Sequence, residues 1–464
     1  MSYAHAGCHG CCHGHSWTSV ADSTSGALID NFWNVDKGFF NLRSNENESS
    51  GINYWPQAHA MDVVVDAYVR TGDSRYAALF DKWFEGIKLQ NGEGSGYQND
   101  FYDDEAWVAL TMTRLYNVSQ DKKYLDVARE LYDDIAKGWN TKYAKGGVAW
   151  RKSQPWSKNA CINGPMSLLA FKLYKATGDR RLLDLSARSY ARVWYGSPRV
   201  GDTGSYADPA KGLKGGMFWQ WQPLHAPRRN EADHGKMSCI NFPTVVAAML
   251  LYDAMPDSVQ PDPAPERWTN GFGSFVRPSH ETKARYLEMA KEIYDWAEAN
   301  LVDMNTGRVW DSSHGGRPGG HPLIYNQGTY IGASALLYLA TGEQRYLDSA
   351  CRAADFCIND MSAEHGMLPW AHNPRNPYDQ GSLEQGVYPA IWAEYMKILI
   401  RDCGMTGYMP FLEHNIAQGW ANRDRKRDIC DGESWKATDN SNVIGSYAAS
   451  SVPALMLVTF QLKN

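Results

Sequence analysis

Residues 325–347 read YNQGTYIGASALLYLATGEQRYL. Tyr330, Ala333, Ser334, Leu337 and Tyr338 fall at i, i+3, i+4, i+7 and i+8, the stripe of a helix with one buried face. The stripe stops at Thr341-Gly342-Glu343, where glycine suits the left-handed residue that ends a helix and the acid is placed to cap the next one. A second periodic segment opens on Tyr346, with Ala350 and Ala353. Polar loop, helix, tight turn and return helix make one helical hairpin, and this unit recurs along the chain.

Other first helices carry the stripe in Met61, Val64, Val65, Tyr68, Val69 and in Met166, Leu169, Ala170, Leu173, Tyr174. Val108, Met112, Leu115, Tyr116 and Val245, Ala248, Met249, Tyr252 fit it less completely. A sixth copy runs Ile391, Tyr395, Ile398, Leu399, interrupted by Glu394. Return helices follow with Tyr76, Phe80, Trp83; Tyr124, Ala128, Leu131; Leu182, Tyr190; Tyr286, Ala290, Ile293; and Met409 to Trp420. TGD turns at 71–73 and 177–179 match the TGE turn. Six hairpins predict an all-α protein, closed as an (α/α)6 barrel with the first helices inside; an open superhelix is the alternative. The expected division is a flexible tail over 1–16 and a single barrel domain over 17–464. The proline-rich PDSVQPDPAPERW from Pro256 reads as a surface insertion, with the helical unit resuming at Glu281.

The 464 residues hold 46 basic and 52 acidic side chains, a net charge of -6 without a long like-charge run. That balance argues against nucleic acid or an anionic membrane as partner. No run of about 18 apolar residues offers a membrane span, and MSYAHAGCHGCCHGHS lacks the basic start and apolar stretch of a secretory signal. Of nine cysteines, six (Cys161, Cys239, Cys351, Cys357, Cys403, Cys430) are scattered as buried free thiols usually are. Cys8, Cys11 and Cys12 lie among His5, His9, His13 and His15, soft ligands for zinc or copper. The cluster precedes any periodic segment and lacks a second pair at finger-like spacing, so a tail without metal is the expectation. Nothing in the sequence sets an oligomeric state.

The segments ahead of the six first helices are NYWPQAH, QNDFYDDEAW, WSKNACINGP, MSCINFP, YNQGTY and LEQGVYP. All are rich in amide, carboxylate and aromatic groups. In a closed ring they meet at one end, at the positive ends of the inner helix dipoles, a rim suited to a ligand dense in hydroxyls. Trp55, Trp150, Trp156 and Trp219 add flat apolar faces that match the CH faces of sugar rings, and Tyr102 lies next to the most acidic segment. Most aromatics in such a chain fill core.

YQNDFYDDEAW, residues 97–107, places Asp103 and Asp104 at the start of an inner helix. Paired carboxylates are the minimal equipment for glycoside hydrolysis. Consecutive alpha carbons about 3.8 Å apart let the carboxyl groups reach the roughly 5–5.5 Å separation of a retaining mechanism. Two carboxylates this close cannot both ionise cheaply, so one becomes the acid. A helix-cap role remains open for the dipeptide alone. Asp133-Asp134 is the same pair within an outer-helix pattern, where it reads as a solvated face. Asp100 reads as a hydrogen-bonding neighbour, Glu105 as a first-turn acid and Trp107 as packing.

FYDDEAW, GGVAWRKSQPWSKNACINGP and YNQGTYIGASALLYLATGEQRYL together resemble glycoside hydrolase family 76, the endo-α-1,6-mannanases, from about Trp17 to the last helix. The resemblance implies Asp103 as nucleophile, Asp104 as acid/base, retention of configuration, and no metal or cofactor. It implies Asn159, Asn326 and Gln327 as sugar binders, with Trp150 a further candidate, and α-mannan or its oligosaccharides as substrate, which places the expected activity outside the cell or at its surface. Two rivals share the barrel. A sugar epimerase or isomerase would use histidines, for which His59, His225 and His234 are the rim candidates without a matched pair. A non-catalytic glycan-binding protein would not need both aspartates.

Overall fold

A computed structural model describes residues 17–44, 54–92, 96–139, 147–195, 206–207, 209, 214–221, 235–255, 267–268, 275–276, 281–314, 316–370 and 385–463. The Cys/His-rich start and residues 256–266 of the proline-rich excursion lie outside these residues, as do His225 and His234. The α-helices are α1 Trp17–Phe32, α2 Tyr54–Thr71, α3 Ser74–Gly86, α4 Tyr102–Ser119, α5 Lys122–Lys137, α6 Ala160–Thr177 and α7 Arg180–Tyr195. They continue with α8 Ser238–Ala254, α9 Lys283–Leu301, α10 Ile324–Thr341, α11 Gln344–Phe356, α12 Tyr388–Lys397, α13 Met409–Asn422 and α14 Ser446–Lys463.

The turns behave as their chemistry indicates. Gly72, Gly178 and Gly342 end α2, α6 and α10 at φ of 67°, 71° and 71°, a conformation glycine adopts without a Cβ penalty. Asp73 and Asp179 then accept from the backbone N–H of Arg75 at 2.9 Å and of Arg181 at 3.0 Å, capping α3 and α7. In the α4–α5 turn Gln120 takes the left-handed role at φ 59°, and Asp121 caps at Lys123 N, 3.1 Å. Glu343 makes no cap bond; its longer carboxylate pairs with Lys291 at 2.5 Å and Arg345 at 3.1 Å instead.

α2, α4, α6, α8, α10 and α12 pack side by side in chain order, and α3, α5, α7, α9 and α11 each lie on the helix before them. Trp392 of α12 meets Phe411 of α13 edge-on at 6.1 Å. These are the six hairpins of an (α/α)6 barrel, with a core of apolar side chains between inner and outer layers. The ring does not close directly from the sixth hairpin to the first. α14 packs on α12 and on α2, and α1 covers α14, so the two ends of the chain supply the closing pair. Thr24 Oγ1 lies 3.3 Å from Met456 Sδ across it. α14 is apolar nearly all round with Pro453 inside it, and α1 is rich in serine and threonine, which is why neither carries the hairpin stripe.

One device positions the mouth of the barrel. The fourth residue of five inner helices reaches back to the loop that precedes it or lies beside it. Gln57 accepts from Phe40 N at 2.9 Å and donates to Phe40 O at 2.8 Å. Asn163 does the same with Val148 at 2.9 and 3.1 Å, and Asn241 with Met217 at 2.7 and 3.1 Å. Gln327 accepts from Val309 N and donates to Gly307 O at 3.0 Å. An amide can satisfy a buried N–H and a buried C=O together, which such loops require. The fifth member is Glu105, accepting from Asn99 N at 2.7 Å.

Candidate active site

The stapled loops then pair with the preceding inner helix in a fixed register. Two residues beyond Val148, Met217 and Val309 stand Trp150, Trp219 and Asp311. Their carbonyls accept from the first N–H of α4 (Tyr102, 3.1 Å), α6 (Ala160, 3.0 Å) and α8 (Ser238, 2.9 Å). Each therefore sits beside the second residue of an inner helix: Asp103, Cys161 and Cys239. Short pairings join these loops around the mouth, Phe101 with Arg151, Lys158–Asn159 with Gln220–Trp221, and Lys236–Met237 with Ser312–Ser313.

Asp103 and Asp104 are both half-buried in the first turn of α4. Asp103 Oδ2 accepts from Trp150 Nε1 at 3.0 Å and from the Cys161 thiol at 3.7 Å. Its Oδ1 is buried without a hydrogen bond from the protein. Burial raises the Asp103 carboxyl above the usual range, opposed by the Trp150 indole, by backbone N–H groups at the helix start and by Cys161. Asp104 has no such donors, and burial followed by the charge of Asp103 pushes it up to about 8. Burial thus raises both carboxyls, and only that of Asp103 has hydrogen-bond donors that oppose it. Trp150 is itself fixed: its N–H donates to Ser157 O at 2.7 Å, and Phe101 packs edge-on at 5.2 Å.

The belt continues around the mouth. Cys239 lies close to Tyr325, the second residue of α10, whose ring lies 4.4 Å from that of Tyr388. Asn326 is fully buried, donates to Asp311 Oδ1 at 3.1 Å and keeps an unpartnered Oδ1. Asn159, also buried, accepts from Ser157 Oγ at 2.9 Å and keeps an unpartnered Nδ2. Trp219 is 40% exposed and Trp156 43%, enough bare ring for a sugar face. Trp55 is half-buried in the first turn of α2, edge-on to His59 at 5.5 Å. His59 also meets Trp107 at 5.4 Å, and burial lowers its imidazole pKa.

Two expected sugar contacts face elsewhere. Gln327 is 0% exposed and spends its amide on the backbone of 307 and 309, so it is a loop staple with no group left for a ligand. Tyr102 is buried, its ring against Gly138 at the end of α5, because the first residue of α4 points at the outer layer while the second points at the axis. The solvated-face reading holds for exposed Asp133 but not for Asp134, which is buried. Lys152 bridges Asp134 at 2.7 Å and Glu105 at 2.8 Å: a carboxylate in the staple slot only accepts, so it needs a cation. Asp100 is a hydrogen-bonding neighbour, holding Ser153 N and Oγ at 3.0 and 2.9 Å.

Sequence reasoning passed over Asp311, Cys161, Cys239 and Lys152. The signal was there for the cysteines: KNACINGP at 158–165 and KMSCINFP at 236–243 repeat Lys-x-Ala/Ser-Cys-Ile-Asn-x-Pro. Lys158 and Lys236 both donate to carbonyls of left-handed glycines, Gly147 at 2.6 Å and Gly215 at 2.5 Å. Among the described residues no group of three or more metal-ligating side chains occurs, and no helix is long and apolar enough to cross a membrane.

The sequence profile of Glycosyl hydrolase family 76 matches residues 16–211 and 278–462. The chain belongs to this family. The match covers five of the six hairpins, α9 of the fourth and both closing helices, and leaves out 212–277, where α8 lies. "Putative mannan endo-1,6-alpha-mannosidase C970.02" of Schizosaccharomyces pombe is 26% identical over 142 residues, 27% of this chain and 31% of that protein; the match thus spans about a third of the curated relative. The alpha-1,6-mannanase GH76A of Salegentibacter sp. HEL1_6 shares the fold at a TM-score of 0.57 and 23% identity, covering 97% of this chain and 100% of that one. That enzyme was solved as an inactive variant with two consecutive aspartates replaced by alanine, in complex with alpha-1,6-mannotetrose. A D-mannose isomerase shares the fold more distantly, at a TM-score of 0.53 and 12% identity over 77% of this chain and 88% of that one.

Proposed function

We propose that this family 76 protein hydrolyses α-1,6-mannosidic bonds of α-mannan with retention of configuration, using Asp103 and Asp104. The observation that carries the reading is the adjacent pair at the mouth of the barrel, one carboxylate held by donors and its neighbour protonated up to about pH 8. Asp103 attacks the anomeric carbon while the proton of Asp104 passes to the leaving glycosidic oxygen, giving a mannosyl ester on Asp103 and a freed chain end. Asp104, now a carboxylate, takes a proton from water; the water oxygen bonds to the anomeric carbon and Asp103 leaves. Two inversions make net retention.

The exposed rings of Trp219 and Trp156 are suited to stack on mannose units, and the unpartnered polar atoms of Asn159 and Asn326 to meet their hydroxyls. Asp311, in the slot that Trp150 and Trp219 occupy in the neighbouring repeats, joins them as a hydroxyl acceptor. Residues 17–464 act as one catalytic domain in this reading. The mannanase named above, inactive without two consecutive aspartates, supports it. Of the histidines an isomerase would use, His59 is tucked between two tryptophans, and His225 and His234 lie outside the described residues.

Linear α-1,6-mannan with Asp103→Ala and Asp104→Ala tests the assignment. Each substitution is expected to cut kcat by about 10³-fold or more; wild-type turnover in either variant would sink it. Proton NMR of the first product should show the α-anomer, and an initial β-signal would contradict retention.

A further inference from the structure

Asp103 offers two oxygens, and the structure treats them differently. Oδ2 lies 3.0 Å from Trp150 Nε1 and 3.7 Å from Cys161 Sγ, whereas Oδ1 is buried and receives nothing from the protein. The sulfur is in place for a geometric reason. Cys161 is the second residue of α6 as Asp103 is the second residue of α4, and the staple of Asn163 on Val148 locks the first turn of α6 against the loop that carries Trp150. The repeat on α8 puts Cys239 in the same slot, close to Tyr325. Cys161 therefore belongs to a series of equivalent side chains around the mouth, and Asp103 is the neighbour it serves.

We propose that Cys161 is a positioning residue for the reaction: its thiol, with the Trp150 indole, holds Asp103 Oδ2 and so fixes the rotation of the carboxylate that attacks the anomeric carbon. The inference rests on Asp103 being the nucleophile. The group acts as S–H, because burial and the adjacent carboxylate raise its pKa well above that of a free thiol. A thiolate would repel the carboxylate, so the cysteine is a donor here and never the attacking group. It holds the carboxylate in one rotation, and it favours the ionised form that attack requires.

The experiment uses the full chain labelled with carbon-13 at the aspartate side-chain carboxyl, the Asp103 signal being assigned by its loss in Asp103→Ala. Cys161→Ser keeps a donor and is expected to titrate like the wild type. Cys161→Ala is expected to raise the Asp103 midpoint by about one pH unit, move the acid limb of kcat/KM up by the same amount, and lower kcat roughly 3- to 10-fold. An Asp103 titration identical in all three proteins overturns the proposal. A measurement on the wild type covers the case of an alanine variant that does not fold. The S–H stretch, isolated as the infrared difference from Cys161→Ser, is expected to move to lower frequency as Asp103 ionises, and a band that ignores pH overturns the proposal. The carboxyl titration and the S–H band report on the thiol whether or not the protein cleaves mannan. Mannanase activity surviving in Asp103→Ala is a failure of the functional reading instead.

Discussion

Asp103 and Asp104 differ by one position in a helix and by everything that position decides. Asp103 looks along the ring toward Trp150 and Cys161; Asp104 has burial and a charged neighbour, and is pushed up to about 8. In the proposed mechanism Asp104 is the acid and works only while protonated, so kcat/KM on mannan is expected to fall as pH rises through about 8. The same shift has a stability sign. A carboxyl whose folded pKa lies above its unfolded value near 3.8 contributes fully below that value and loses its contribution as pH rises through about 8. Asp104→Asn should therefore be near neutral in urea unfolding at pH 4 and stabilising at pH 9; equal effects at both would contradict the assigned environment. Trp150→Phe keeps the ring that packs on Phe101 and removes only the Nε1 donor. Its expected effect is a roughly 10- to 100-fold loss in kcat with KM little changed, read by steady-state kinetics on manno-oligosaccharides.

The unit that makes the site reproducible is the start of the inner helix. First residue toward the outer layer, second toward the axis, fourth back to a loop: this order places Trp55, Asp103, Cys161, Cys239 and Tyr325 at equivalent positions, and Gln57, Glu105, Asn163, Asn241 and Gln327 as staples. It also decides which expected contacts are structural. Gln327→Ala strands the backbone N–H of Val309 and the carbonyl of Gly307, and is expected to cost about 2–4 kcal/mol in urea unfolding. KM for a manno-oligosaccharide should stay unchanged; a KM rise without loss of stability would return Gln327 to the sugar. Composition could not make this distinction, because an amide that binds backbone and one that binds hydroxyls look alike in sequence. The Lys-x-Ala/Ser-Cys-Ile-Asn-x-Pro repeat could have made it, since the common asparagine is the staple in both copies.

At the scale of the whole molecule the barrel depends on the chain's two ends. Phe32 at the end of α1 is fully buried, and Phe32→Ala is expected to cost about 3–5 kcal/mol. One cooperative transition, with fluorescence and circular dichroism coinciding, is expected if the closing pair belongs to the same unit as the hairpins; a separate early transition would show that it does not. The sequence by itself determined the six hairpins, their turns and the place of the Asp103-Asp104 pair, because helical period, left-handed glycines and a carboxylate pair at a helix start are local properties of a few consecutive residues. Only the tertiary structure decided how the ring closes, which amides are staples, that Lys152 joins Glu105 to Asp134, and that Asp311 stands where two other repeats have tryptophan. Each of those depends on side chains brought together from distant segments, and on which way a helix is rotated when its other face has been buried.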